Sequence, residues 1–179
     1  MRDPGMAGFF RCGNYLKSMT WVSVFLALLL LILGIPSRVC AAGDTWVELT
    51  EADTGRMIFS AVLKEGEQIV LTWMNSLYGL RVTEVFEARG GVLFLTEVTY
   101  APPQGPAPPL VPPEEAEELY QTGGPFYARE LAKPFRKIVY RVAEIGEPKM
   151  KIRDCLVDFK KEVGFGGRII LTVKSADSL

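Results

Sequence analysis

Residues 81–100 read RVTEVFEARGGVLFLTEVTY. Two runs rich in β-branched and aromatic residues, Arg81 to Ala88 and Val92 to Tyr100, flank Arg89-Gly90-Gly91. The paired glycines supply the positive φ angles of a tight hairpin, so the stretch predicts two long antiparallel strands. Upstream, Glu67 to Met74 sets Ile69, Leu71 and Trp73 on one face and Val70, Thr72 and Met74 on the other, as a strand covered on at least one side requires. Further out, Trp46 to Glu51 alternates, Asp53-Thr54-Gly55 turns the chain, and Arg56 to Leu63 forms a second β-rich run before Lys64-Glu65-Gly66 turns it again.

Downstream the pattern breaks and then resumes. Residues 101–113 hold seven of the twelve prolines, which donate no backbone hydrogen bond, so the sheet is expected to stop in an extended Pro-rich loop. Its Pro-x-x-Pro spacings suit a lid or spacer over one end of the domain better than a polyproline-reader ligand. Glu114 to Tyr120 suits two helical turns, with Glu114 and Glu115 at the positive end and Gly123-Gly124-Pro125 as the stop. That acidic cluster reads as a solvated face before it reads as a calcium site. Phe126 to Leu131, Lys137 to Val142, Met150 to Arg153, Leu156 to Phe159 and Arg168 to Val173 return to strand patterning, with Gly146, Gly164, Gly166 and Gly167 as turn points. Residues 43–179 are therefore expected to form one all-β domain, an antiparallel β-sandwich or partly open barrel of about nine short strands.

The N-terminal 42 residues have a different character. Met19 to Ile35 is almost wholly apolar, follows Arg2, Arg11 and Lys17, and ends at Pro36. As a helix its seventeen residues reach roughly 25 Å, short of the ~30 Å bilayer core, and its uninterrupted stretch Val24 to Leu33 has the length of a signal-peptide core. A hydrophobic leader helix is expected, either cleaved near Ala41 or Ala42 or retained as a membrane anchor. Pro36 favours cleavage by leaving the following residues extended. Either fate places the domain outside the cytoplasm, in a periplasm or on the outer face of the membrane.

Charge and composition exclude several functions. The chain carries 20 Lys and Arg against 21 Asp and Glu, and four of the bases but one of the acids lie in the first 41 residues, so the remaining domain is acidic. An acidic domain with no basic stripe repels phosphate backbones and argues against nucleic acid as a partner. Histidine is absent, which removes Ser-His-Asp and Cys-His units and the usual imidazole metal sites. Of the three cysteines, Cys12 and Cys40 lie in or beside the leader, leaving Cys155, which is expected to be buried as a small apolar side chain rather than to serve as a reactive or bridging thiol. Gly164-Phe165-Gly166-Gly167 lacks the lysine of a phosphate loop and reads as a glycine turn. No cofactor or metal is expected.

The candidate site is the block Trp73 to Glu87, WMNSLYGLRVTEVFE, in which Asn75-Ser76 interrupts the alternation. A bend between paired strands frees polar side chains either to satisfy local backbone groups or to face a ligand. Trp73, Asn75, Ser76, Tyr78 and Glu84 are the candidate ligand- or partner-binding residues. Ser76 and Glu84 are expected to meet across the two strands, in a structural bond or in a polar contact to a ligand. A hydrolase using Ser76 with Glu84 or Lys64 lacks a visible base and oxyanion hole.

From Trp46 to Ala176 the chain resembles the bacterial domain-of-unknown-function family eighteen-fifty. These are small exported proteins often encoded beside TAXI-type tripartite ATP-independent periplasmic (TRAP) transporters. The resemblance is carried by Asp53-Thr54-Gly55-Arg56 and Glu65-Gly66-Glu67 between strands, by the Trp73 to Glu87 block, and by the Gly90-Gly91 hairpin. The chain keeps Trp73, Ser76, Val82, Glu84, Val85 and Phe86 in matching places. It departs at Asn75, where the family usually has histidine, and at Arg81, where proline is frequent; Thr83 stands for the first of two glutamates. Asparagine hydrogen-bonds but does not titrate, so the pair Asn75-Ser76 suits an orienting role rather than acid–base catalysis. The resemblance implies a non-catalytic exported accessory protein whose partners are TRAP/TAXI transporter subunits or their solute. A stand-alone small-ligand binder, with Trp73, Tyr78 and the surroundings of Asn75 lining an apolar pocket, is the alternative.

Overall fold

Gly90 and Gly91 adopt φ angles of 54° and 76°, and Arg89 pairs with Val92 across them, so the predicted hairpin closes on a two-residue turn. The computed structural model that contains it describes residues 43–176, and the predicted leader with its cleavage site lies outside the described residues. In chain order the strands are β1 (Thr45–Glu51), β2 (Met57–Leu63), β3 (Gln68–Asn75), β4 (Leu80–Arg89), β5 (Val92–Ala101) and β6 (Leu110–Val111). After helix α1 (Pro113–Thr122) come β7 (Phe126–Ala128), β8 (Lys133–Phe135), β9 (Lys137–Arg141), β10 (Lys149–Ile152), β11 (Cys155–Asp158), helix α2 (Phe159–Val163) and β12 (Arg168–Ser175). No helix among the described residues is long and apolar enough to cross a membrane.

The strands form two sheets and no closed barrel. The smaller has the order β2-β1-β12-β9, and the larger runs β11-β10-β3-β4-β5-β7-β6, with β8 also paired to β5. Every pairing is antiparallel except β6 with β7. One face of the larger sheet presents Ile69, Leu71, Phe86, Leu93 and Met150 to Val47, Leu49, Ile169 and Leu171 of the smaller sheet, and these side chains make a single buried core. Further along the same face, Val82, Val98, Tyr100 and Phe126 form a second core that α1 covers through Ala116, with Leu119 and Tyr120 packed alongside. The larger sheet is thus covered by a sheet over one half and by a helix over the other.

The structure departs from the sequence expectations at four places. The sheet does not end at the prolines, because proline carbonyls still accept: Tyr127 N–H donates to Pro109 O at 2.8 Å, and Leu110 and Val111 then pair in parallel with β7. A further strand, β8, carries Pro134 in a pairing with Phe94, on the outer side of β5 where a proline is tolerated. These two short segments raise the count above the expected nine. Phe159 does not continue a strand: the Asp158 side chain accepts from Lys161 N–H and caps α2, which drives the Phe159 ring fully into the core. Cys155 is exposed, not buried, because it opens the edge strand β11, where only Val157 is buried.

Candidate functional site

The site begins with the phase of β4. Leu80, Val82, Phe86 and Ala88 are buried on the inward face, while Arg81 and Arg89 are exposed. Glu84 occupies the middle of that same inward row and is half-buried. Val82 belongs to the core beneath α1 and Phe86 to the core between the sheets. Glu84 therefore stands at the seam between the two covers, where neither core closes over it.

Two cavities lie at that seam and share Glu84, Leu95 and Phe135 as wall residues. The first, about 490 Å³, lies between the larger sheet and β9, with Leu71, Trp73, Phe86, Ile138 and Tyr140 on its walls. The second, about 640 Å³, lies beneath α1, with Ala116, Tyr120 and Leu131 lining it. A bulge in β5 shapes the junction. Val85 pairs with Glu97 but Phe86 pairs with Leu95, so Thr96 is the extra residue, and its hydroxyl donates to Val85 O at 3.1 Å. The inward row of β5 consequently switches from Leu93 and Leu95 to Val98 and Tyr100. The outer edge of β5 divides at the same point, pairing with β7 at Val98–Tyr100 and with β8 at Leu93–Leu95, while Leu131 N–H donates to Thr96 O at 3.0 Å.

Glu84 makes no hydrogen bond and no ion pair among the described residues. Burial without a partner disfavours its charged form and pushes its carboxyl up to about 7. The hydroxyls of Tyr100, Tyr120 and Tyr140 are pushed above the usual phenol range, by burial first and by the Glu84 charge second, so all three are neutral donors at physiological pH. Tyr140 Oη is buried without a hydrogen-bond partner on the wall of the first cavity. Tyr140 Oη is thus buried and unsatisfied, and the half-buried Glu84 carboxyl has no protein partner among the described residues, an arrangement in which a ligand with a polar end could meet the carboxyl.

Trp73, Asn75, Ser76 and Glu84 all line the first cavity, so four of the five predicted residues come together. Trp73 packs edge-to-face on Tyr100 with ring centroids 6.2 Å apart. Asn75 Oδ1 accepts from Leu77 N–H at 3.1 Å and Tyr78 N–H at 3.3 Å, which holds the turn into β4. Ser76 and Glu84 do not pair across the strands, contrary to expectation: Asn75 faces Leu80, Ser76 lies in the turn, and Leu71 stands opposite Glu84. Tyr78 leaves the cavity. Its ring lies against Gly123, where an added Cβ would come within 2.3 Å of it, and its hydroxyl donates to Gln121 O at 3.4 Å, tying the turn to the end of α1.

Sequence reasoning missed Phe86, Leu95, Phe135, Ile138 and Tyr140. The available signal was a lone acid in the apolar phase of β4 and the shift from odd to even apolar positions along Val92 to Tyr100. Among the described residues no group of three or more His, Cys, Asp or Glu side chains is placed to hold a metal ion. The α1 acids Glu114, Glu115, Glu117 and Glu118 are all exposed. No family model, curated protein or solved structure matches the chain.

Because Glu84 takes up its proton near pH 7 in the folded state but near 4.5 in an ordinary environment, the folded chain holds the extra proton between those values. Stability therefore falls as pH rises through that window and levels off above it. Glu84→Gln is expected to raise stability by up to ~3 kcal/mol at about pH 8, to change it little near pH 4, and to flatten the slope between. Denaturant unfolding across pH checks this, and a slope that persists in the variant would contradict it.

Proposed function

We propose that the chain is an exported, non-catalytic binding protein, a β-sandwich left open along one seam, which holds a small, largely apolar ligand between its larger sheet and the two elements that cover it. The observation that carries this reading is the unpartnered Glu84 carboxyl on the shared wall of two cavities, whose apolar walls include Leu71, Phe86 and Ile138 in the first, Ala116 and Leu131 in the second, and Leu95 and Phe135 in both. Specific small-molecule sites combine apolar walls with one or two placed polar groups and enclose on the order of 300–1,000 Å³. The non-catalytic part of the reading is supported by Ser76, whose hydroxyl has no hydrogen-bonded base among the described residues.

Export is supported by the apolar leader, and service to a TRAP/TAXI-type transporter by the motifs shared with the eighteen-fifty family. The binding role does not depend on the transporter link.

Nile red, a neutral apolar dye, is expected to bind the protein saturably with a blue-shifted emission. Ile138→Trp, which fills the first cavity from β9, is expected to weaken that binding at least ~10-fold, about 1.4 kcal/mol, while leaving the far-ultraviolet circular dichroism unchanged. Dye binding that is indifferent to the filled cavity would contradict the site. The tagged full chain is expected to co-purify from native membranes with a solute-binding or membrane subunit of a transporter; recovery of neither would remove the transporter link alone.

A further inference from the structure

Among the described residues Glu84 is the only acid on the shared wall that faces inward; the other acids near the cavities, Glu117 on α1 and Glu130 before β8, are exposed. The nearby bases are exposed too, Lys133 beside the second cavity and Arg141 beside the first, and neither forms an ion pair with Glu84. The remaining titratable groups around it are the neutral hydroxyls of Tyr100 on β5, Tyr120 on α1 and Tyr140 on β9. The cavities thus share one inward carboxyl, and the bases that line them are exposed. Its other distinctive walls are aromatic faces and edges, Trp73, Phe86 and Phe135, with Phe86 and Phe135 packed edge-to-face at 5.9 Å.

We propose that the ligand is an amphiphilic organic ammonium, whose cationic end meets the Glu84 carboxylate at the seam and whose apolar part lies against Trp73, Phe86 and Phe135. This deepens the binding role proposed above and rests on it. A carboxylate acceptor ringed by aromatic groups suits an ammonium on two counts, a direct ion pair and attraction of the cation to the rings, and both strengthen when water is excluded. An anionic amphiphile would place a second carboxylate beside Glu84, while the bases that line the cavities, Arg141 and Lys133, are exposed. A neutral alcohol would satisfy the hydrogen bond but gain neither electrostatic contribution.

The ligand-free carboxyl holds its proton up to about pH 7, so capture of an ammonium near neutrality releases that proton to solvent. The charge balance is an incoming cation exchanged for an outgoing proton. Affinity should consequently fall as pH drops below about 7, down to the level set by the neutral carboxyl, and reach a plateau above it. The tyrosines do not titrate in that range and contribute no slope of their own.

Isothermal titration of the full-length protein with octylamine, octanol and octanoate, which share one chain and differ in head group, tests the assignment. At about pH 8 octylamine is expected to bind at least ~10-fold tighter than octanol, with octanoate weakest, and to fall to the octanol level at about pH 5, a loss of at least ~10-fold, while octanol does not weaken. Glu84→Gln is expected to bring octylamine down to the level of octanol, with an unchanged far-ultraviolet circular dichroism spectrum reporting that the variant is folded. If the variant does not fold, the contrasting pH profiles of octylamine and octanol on the unaltered protein still decide the matter. Octanol or octanoate binding as tightly as octylamine, or octylamine affinity flat with pH, would overturn the ammonium assignment and leave the binding site standing. Failure of all three to bind would overturn both.

Discussion

A sheet of eight strands cannot be covered by a sheet of four, and the rest of this structure follows from that mismatch. The apolar face of the larger sheet must be hidden from water along its whole width, since exposed apolar area costs about 25 cal/mol per Å². The smaller sheet hides one half and α1 the other. Strands and a helix present surfaces of different relief, so their side chains do not interdigitate with one another as each does with the sheet beneath. The join between the covers is where packing is incomplete and where a carboxyl can be tolerated. Deeper in either core, an ionised Glu84 would be disfavoured by several kcal/mol.

The bulge at Thr96 makes that join a site. Without an extra residue, β5 would keep one phase from Leu93 to Ala101 and direct Glu97 and Thr99 inward in place of Val98 and Tyr100. The shift lets Leu95 face the junction and, on the far side of the bulge, sends Tyr100 into the aromatic cluster, where it stacks on Phe126 at 4.9 Å and meets Tyr120 edge-to-face at 5.4 Å. The same point divides the outer edge of β5 between β7 and β8, so the chain between those strands passes across the second cavity as part of its wall. One inserted residue therefore links the local twist of a strand to the shape of the binding space.

Much of the strand framework was legible because it rests on local chemistry. The Gly90-Gly91 turn, the alternation of Ile69, Leu71 and Trp73, and the helix opening at Glu114 and Glu115 are each set by residues within a few positions of one another. The features that escaped are set by partners distant in sequence. Leu110–Val111 becomes a strand only because β7 lies beside it, and Cys155 is exposed because β11 is an edge. The Ser76–Glu84 contact was misplaced because the turn spans residues 76–79, so that β3 and β4 pair from Asn75 and Leu80 outward and Glu84 is carried well along the strand. Asn75, Ser76 and Trp73 were found near the cavity through the break in alternation. The walls supplied by β8 and β9 carry no local mark, because an apolar residue facing a cavity and one facing a core read alike.

Among the described residues Glu84 is a carboxyl held without a protein partner at the seam between two covers. The most direct measurement is the titration of its side-chain carboxyl carbon by nuclear magnetic resonance in the ligand-free protein, assigned by comparison with Glu84→Gln. A midpoint near 7 is predicted, well above the ordinary glutamate value of 4.5. A midpoint near the ordinary 4.5 would mean that the carboxyl is hydrated or paired, and would contradict both the seam and the site built on it.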